Sequence, residues 1–193
     1  MDQDITNIIN LLKEEGVGVL PTDTLYGLVG LALNQKVVEK IYKIKQRSPE
    51  KPFIILISSL DDLKRFNIEI NQQTKDFLEK NWPGPLSVIL PCPDKKFEYL
   101  HKGIKTLAFR IPNYPLILDI LKQTGPLVAP SANPEGSSPA QNIKQAKEYF
   151  DDNVSFYLDK GKLISKPSTI IKIEDNKIIV LRQGKYKVSE LSL

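Results

Sequence analysis

Cysteine, histidine and arginine are scarce in this sequence, and each scarcity narrows what the protein can do. Cys92 is the single cysteine, so neither an intrachain disulfide nor a cysteine-built zinc site can form. Lying between Pro91 and Pro93 at the end of an apolar run, it reads as a structural thiol rather than a nucleophile. His101 is the single histidine, which excludes multi-histidine metal sites, and its neighbours supply no triad motif. Two nucleotide signatures are also missing. There is no G-x-x-x-x-G-K-[ST] loop and no G-x-G-x-x-G between strand and helix, since Gly27-Leu28-Val29-Gly30 is too short. No apolar run reaches the roughly 20 residues that a bilayer span needs. Met1-Asp2-Gln3-Asp4 is acidic where a signal peptide would be basic and then apolar, so the expected location is cytoplasmic, with no membrane. An enzyme of this composition must work with fixed positive charge, hydroxyls, amides and backbone N–H groups.

What is present is an ordinary globular balance. Over 193 residues, 41% hydrophobic and 26% charged, the chain can bury a core and fits one domain spanning 1–193. The formal net charge of +4 permits polyanion binding without demanding it. Of the 27 basic residues only four are arginine: Arg47, Arg65, Arg110 and Arg182. A chain that solubilises itself with lysine keeps arginine where planar, bidentate recognition of carboxylate or phosphate matters. Arg65 falls in a polar helical stretch and is incidental; the other three fall at the ends of expected elements.

Apolar periodicity predicts a helix over 4–15 and a strand from Val17 to Leu20, ending in Pro21-Thr22-Asp23-Thr24. Asn34 can cap a helix carrying Val37, Val38, Ile41 and Ile44 inward, ending near Arg47 because Pro49 follows. Pro52–Ile57 reads as a buried strand, 60–66 and 71–81 as helices, Leu86–Leu90 and Leu107–Ile111 as strands. A helix over Pro115–Lys122, a strand over Leu127–Ala129, a helix near 140–149 and a strand at Phe156–Leu158 follow. Thr169–Ile173 and Lys177–Leu181 read as a hairpin joined through Asp175-Asn176. The expected class is α/β (α+β in some schemes), a mixed twisted sheet with helices packed on it.

Four groups of residues could carry chemistry. Thr22-Asp23-Thr24 sets two hydroxyls and a carboxylate directly after a strand, although such residues also cap turns. In Lys45-Gln46-Arg47-Ser48-Pro49-Glu50-Lys51, helical spacing would point Lys45 and Arg47 apart, whereas an extended chain after the last helical turn would put them on one face, able to grip adjacent phosphates. A basic helix C-terminus favoured by the helix dipole explains them equally. Ser131-Ala132-Asn133 places a hydroxyl and an amide two apart after an apolar strand, as ordinary turn chemistry also would. Ser168-Thr169 opens one strand of the hairpin and Arg182 closes the other, while Arg110 ends a further strand.

Taken in order, these segments resemble the YrdC family of threonylcarbamoyl-adenylate synthases. The shared strings are PTDTLYGL at 21–28, KQRSPEKPF at 45–53, WPGPLSVIL at 82–90, AFRIP at 108–112, SANPEG at 131–136, STI at 168–170 and LRQG at 181–184. The resemblance implies a three-layer fold around a basic cavity. It implies that L-threonine, bicarbonate or CO2, and ATP yield threonylcarbamoyl-AMP and pyrophosphate, with Mg2+ carried mainly by the phosphates. The product would serve a partner transferase that modifies tRNA. Carried over, Lys45, Arg47, Ser131 and Asn133 are the expected catalytic group. Arg47, Lys51, Thr106, Ser131, Ser138 and Arg182 are expected at ATP, and Thr24, Arg110, Ala129 and Ser168 at threonine, with no protein metal site. Ser48 stands where the family usually has proline, Pro130 where threonine is frequent, and Leu56 where longer relatives often have histidine. As the chain ends at Leu193, the extra C-terminal domain of the longer branch is expected to be absent. The alternative from a different class is a module binding tRNA or double-stranded RNA, although no aromatic-basic interleaving supports it.

Overall fold

The computed structural model describes residues 2–48, 50–174 and 177–187, with side chains from Ile5 onward. Pro49 and the Asp175-Asn176 turn therefore lie outside the described residues. Chain order runs α1 (Asp2–Lys13), β1 (Gly18–Pro21), β2 (Tyr26–Leu31), α2 (Gln35–Lys45), β3 (Ile54–Leu56), a 3-10 turn (Leu60–Phe66) and α3 (Gln72–Asn81). It continues with β4 (Leu86–Pro91), α4 (Glu98–His101), β5 (Thr106–Arg110), α5 (Pro115–Thr124) and β6 (Leu127–Val128). The remainder is α6 (Ile143–Phe150), β7 (Phe156–Tyr157), β8 (Thr169–Glu174) and β9 (Lys177–Arg182).

The described strands join into one mixed sheet in the order β7-β1-β2-β6-β3-β5-β4-β8-β9. β3 and β5 are parallel, as are β4 and β8, whereas β6 runs antiparallel to both its neighbours. β8 and β9 form the expected antiparallel pair. Side-chain alternation sends Val19, Tyr26, Leu28, Ile55, Val88 and Phe109 to one face, where α2, α3, α4 and α6 pack. Leu20, Val29, Leu56 and Leu127 face the other way, toward Ile8, Ile9 and Leu12 of α1 and Ile117, Ile120 and Leu121 of α5. Helix, sheet and helix make the three layers.

One strand is not signalled by the sequence. The sequence pattern assigns no element to Tyr26–Leu31, which forms β2, a strand inside the sheet buried on both faces. Gly30 is there for a packing reason, since a Cβ on it would lie 2.5 Å from Val37 Cγ1 of α2. The segment 60–66 is helical as expected, in the 3-10 form. Cys92 is buried, its thiol pointing at Phe66 O at 3.7 Å, and burial pushes its pKa up to about 11. It is a structural thiol.

The layer formed by α1 and α5 covers only part of its face. Leu56, Arg110 and Ile170 share that face and line an open cavity. Loops after β1, α2 and β6, and the segment before β8, wall it in.

Candidate active site

The cavity has a volume of about 590 Å³, within the range of small-molecule sites. Arg47, Arg110 and Arg182 all line it, together with Thr22, Thr24, Ser131, Ser138 and Ser168. Arg65 does not; its side chain is half exposed and faces Asp62 at 3.7 Å. Burial lowers the pKa of Arg182, and the nearby charges of Arg110 and Arg47 lower it further. The Arg182 guanidinium is thus repelled by the other two across one concave space, an arrangement that an anionic ligand would relieve.

Arg110 ends β5 and is only 4% exposed. Its Nε donates to Gly84 O at 3.1 Å, its Nη1 to Thr24 Oγ1 at 3.0 Å, and its Nη2 to the Asp23 carboxylate. Burial depresses its pKa while Asp23 opposes that shift, and a guanidinium stays charged throughout. Asp23 is itself held by the Asn113 N–H at 3.2 Å. Thr24 also shares a hydrogen bond with Thr22, Oγ1 to Oγ1 at 3.1 Å. This corner needs Thr-Asp-Thr directly after a strand, as the sequence has it, but the carboxylate's tie to Arg110 was not anticipated.

Arg182 reaches the cavity from the last residue of β9. Its Nε and Nη2 donate to Ser168 O at 3.1 and 2.9 Å, and Nη2 also to Ser168 Oγ at 3.1 Å. Ser168 Oγ in turn shares a hydrogen bond with buried Ser87 Oγ at 2.9 Å. Gly184 allows this closeness, because a Cβ there would lie 2.2 Å from Pro167 O.

Lys45 is not where the extended-chain expectation puts it. α2 ends at Gln46 in the left-handed conformation (φ 52°), so Lys45 and Arg47 diverge instead of sharing a face. Lys45 is 2% exposed and its Nζ donates to Ser131 O (2.7 Å), Asn133 O (2.7 Å) and Asn133 Oδ1 (3.2 Å). Three acceptors use all three N–H bonds of the ammonium. Burial, with Arg47 adding to it and Glu135 opposing, pushes its pKa down to about 8. Lys45 therefore acts on the cavity by fixing the 131–133 segment. Asn133 extends that brace, its Nδ2 donating to Pro134 O at 2.9 Å and Ser137 O at 2.8 Å.

Arg47 does face the cavity. Its Nε donates to Lys51 O at 3.1 Å and its guanidinium carbon lies 5.3 Å from the centre of the Phe53 ring. Ser131 and Ala129 line the opposite wall, where Leu28 N–H donates to Pro130 O and Ala132 N–H to Tyr26 O, continuing β6 along β2. Lys51 lies between the lining residues Arg47 and Pro52 but is not itself among the residues that line the cavity; its ammonium pairs with Glu135 at 2.6 Å. Thr106 shares a face of β5 with Arg110 but lies four residues back along the strand, beyond the residues that line the cavity. Tyr26, fully buried, was not anticipated as a site residue. Its hydroxyl donates to Gly161 O at 2.8 Å and accepts the Lys160 N–H at 3.0 Å, anchoring the segment that leads to the wall residues Leu163, Ile164 and Pro167. His101, the single histidine, is buried near Asp94 and Gly103 and is not among the residues that line the cavity.

Comparison with known proteins gives a consistent likeness. The family model Sua5_yciO_yrdC, described as "Telomere recombination", matches residues 10–184. The chain is 33% identical over 186 residues to the threonylcarbamoyl-AMP synthase of Bacillus subtilis, covering 95% of this chain and 54% of that protein. It is 30% identical over 169 residues to the threonylcarbamoyl-AMP synthase of Hahella chejuensis, covering 86% and 91%. Among solved structures, P. abyssi Sua5 complexed with L-threonine superposes with a TM-score of 0.88 at 28% identity, over 95% of this chain and 55% of that one. The chain thus spans about half the length of the Bacillus and P. abyssi relatives.

Proposed function

The chain belongs to the Sua5/YciO/YrdC family, and on that premise we propose that it is an L-threonylcarbamoyladenylate synthase, an adenylyl-transferring enzyme. The observation that carries this reading is the convergence of Arg47, Arg110 and Arg182 on one cavity furnished with hydroxyls. A site for one small anion would not need three guanidinium groups. A carboxylate and a polyphosphate held together would.

The amine of threonine takes up CO2, supplied as bicarbonate, and loses a proton to form a carbamate. A carbamate oxygen then attacks the α-phosphorus of ATP, and the bond to the bridging oxygen of pyrophosphate breaks. Arg110 has five N–H bonds, and Gly84, Thr24 and Asp23 take three of them, leaving two for the threonine carboxylate. Ser168 and the Ala129 wall close this end. Arg47 and Arg182, with Ser131, Ser138 and Lys51, face the phosphates; this is the region to which Lys45 and Asn133 contribute by positioning. Adenylyl transfer is chiefly positioning and charge stabilisation, which fixed cations supply without a base titrating near neutral pH. Phe53, Leu56, Leu163 and Ile164 give the cavity apolar walls, and excluding water strengthens each charge interaction inside.

Mg2+ would arrive on the phosphates, whose oxygens are its preferred ligands. Among the described residues, no helix is long and apolar enough to cross a membrane. The reading places the reaction in the cytoplasm, where the adenylate passes to a threonylcarbamoyl transferase acting on tRNA. The test is incubation with ATP, magnesium, bicarbonate and single amino acids, following pyrophosphate and adenylate. Threonine-dependent release of both is expected; folded protein with no threonine dependence would overturn the reading.

A further inference from the structure

One side chain ties together the two loops that carry the cavity-lining residues Arg47 and Ser131. Glu135, on the segment after β6, accepts the Ser48 N–H at 2.7 Å with Oε2 and the Lys51 ammonium at 2.6 Å with Oε1. The hydrogen bond from Lys51, then that from Ser48, holds its carboxyl below the usual range, and the charges of Lys51 and Arg47 add to the effect. An N–H group, an ammonium and a neighbouring guanidinium are also the donors that phosphoryl oxygens use.

The backbone beneath Glu135 is held by other means. Its own N–H donates to Lys45 O at 2.9 Å, and Asn133 Nδ2 ties the carbonyls of Pro134 and Ser137. The carboxylate can therefore leave by rotation about its own side-chain bonds, without any rearrangement of the segment that carries Ser131. Lys51 is equally free to turn, its side chain being 60% exposed.

We propose that Glu135 is an internal stand-in for a phosphoryl group, occupying the Ser48 and Lys51 donors until a polyphosphate displaces it. The proposal rests on reading the cavity as an ATP site and adds a determinant of nucleotide affinity to it. Competition between the carboxylate and the ligand lowers apparent affinity by the fraction of molecules in which the donors are free. For an exposed ion pair with one backbone hydrogen bond, that is about fivefold. Ligands that place phosphoryl groups at these donors meet the competition. A mononucleotide that stops short of them does not.

The experiment measures binding of inorganic triphosphate and, separately, of AMP by calorimetry, to the wild-type chain and to the Glu135→Gln and Glu135→Ala variants. Both variants are expected to bind triphosphate about fivefold more tightly while AMP affinity stays within about twofold. Unchanged or weaker triphosphate binding in both variants would overturn the proposal, since Glu135 would then support the site rather than compete for it. Triphosphate binding to none of the three proteins would overturn it as well. The ATP reading stands or falls separately, on threonine-dependent pyrophosphate release by the wild-type chain.

Discussion

Replacing Lys45 by methionine separates two ways in which a buried cation can serve a phosphate site. If Lys45 gripped phosphate directly, removing a buried charge would leave the ligand-free fold unchanged or more stable. The observed contacts predict the opposite. Three carbonyl-type acceptors, on Ser131 and Asn133, lose their donor. Leaving buried acceptors unpaired costs about 1–3 kcal/mol each before water partly compensates. Against this, holding the ammonium charged near neutral pH costs the fold about 3 kcal/mol, from a pKa near 8 against the ordinary 10.5. The net expectation is a loss of about 2 kcal/mol, or a melting temperature about 4–8 °C lower without ligand. The pH dependence checks the same assignment. The folded pKa is depressed, so the unfolded chain binds more protons between pH 8 and 10.5, and Lys45 contributes stability that grows as pH rises through that window. The gap between wild type and Lys45→Met should therefore widen from pH 8 to 10 in thermal or urea unfolding. A ligand-free variant as stable as wild type at both pH values would refute the bracing role.

Three further outcomes follow from the same contacts. Gly184→Ala should displace Pro167 and Ser168, because the new Cβ would lie 2.2 Å from Pro167 O, and should cost activity through Arg182 more than it costs fold stability; steady-state kinetics beside circular dichroism would check this. ATP binding at pH 8 should take up protons, since a polyanion beside Arg47 raises the depressed pKa of Lys45, and calorimetry in buffers of different ionisation enthalpy should show uptake that Lys45→Met loses. Cys92, buried with its pKa pushed up to about 11, should react with a thiol reagent only as fast as the protein unfolds; rapid labelling of folded protein would contradict its placement.

Much of this was readable along the chain because arginine is rare in it. Arg47, Arg110 and Arg182 each end or follow an element, and the fold gathers those ends at one cavity. The Asn34 cap was readable too, its side chain accepting the Val37 N–H at 3.2 Å. β2 was not, because a strand buried on both faces shows no alternation and two glycines argue locally for a loop. Lys45 was misplaced for a different reason. Whether Gln46 turns left-handed or extended is a backbone choice, and nothing in Lys-Gln-Arg announces it. Asp23 and Glu135 escaped because each gains its role from a partner far along the chain, Arg110 for one and Lys51 for the other.

The central claim is that these guanidinium groups form the adenylate, and Arg47→Ala tests it most directly. Arg47 is tied to the fold by hydrogen bonds to Lys51 O and Pro52 O and by its contact with Phe53, so its loss should lower the melting temperature by about 2–4 °C. Threonylcarbamoyl-adenylate formed from ATP, threonine and bicarbonate should fall at least about 100-fold in the variant, the scale of one lost charge-stabilising group. Near-normal adenylate formation by the folded variant would contradict the account.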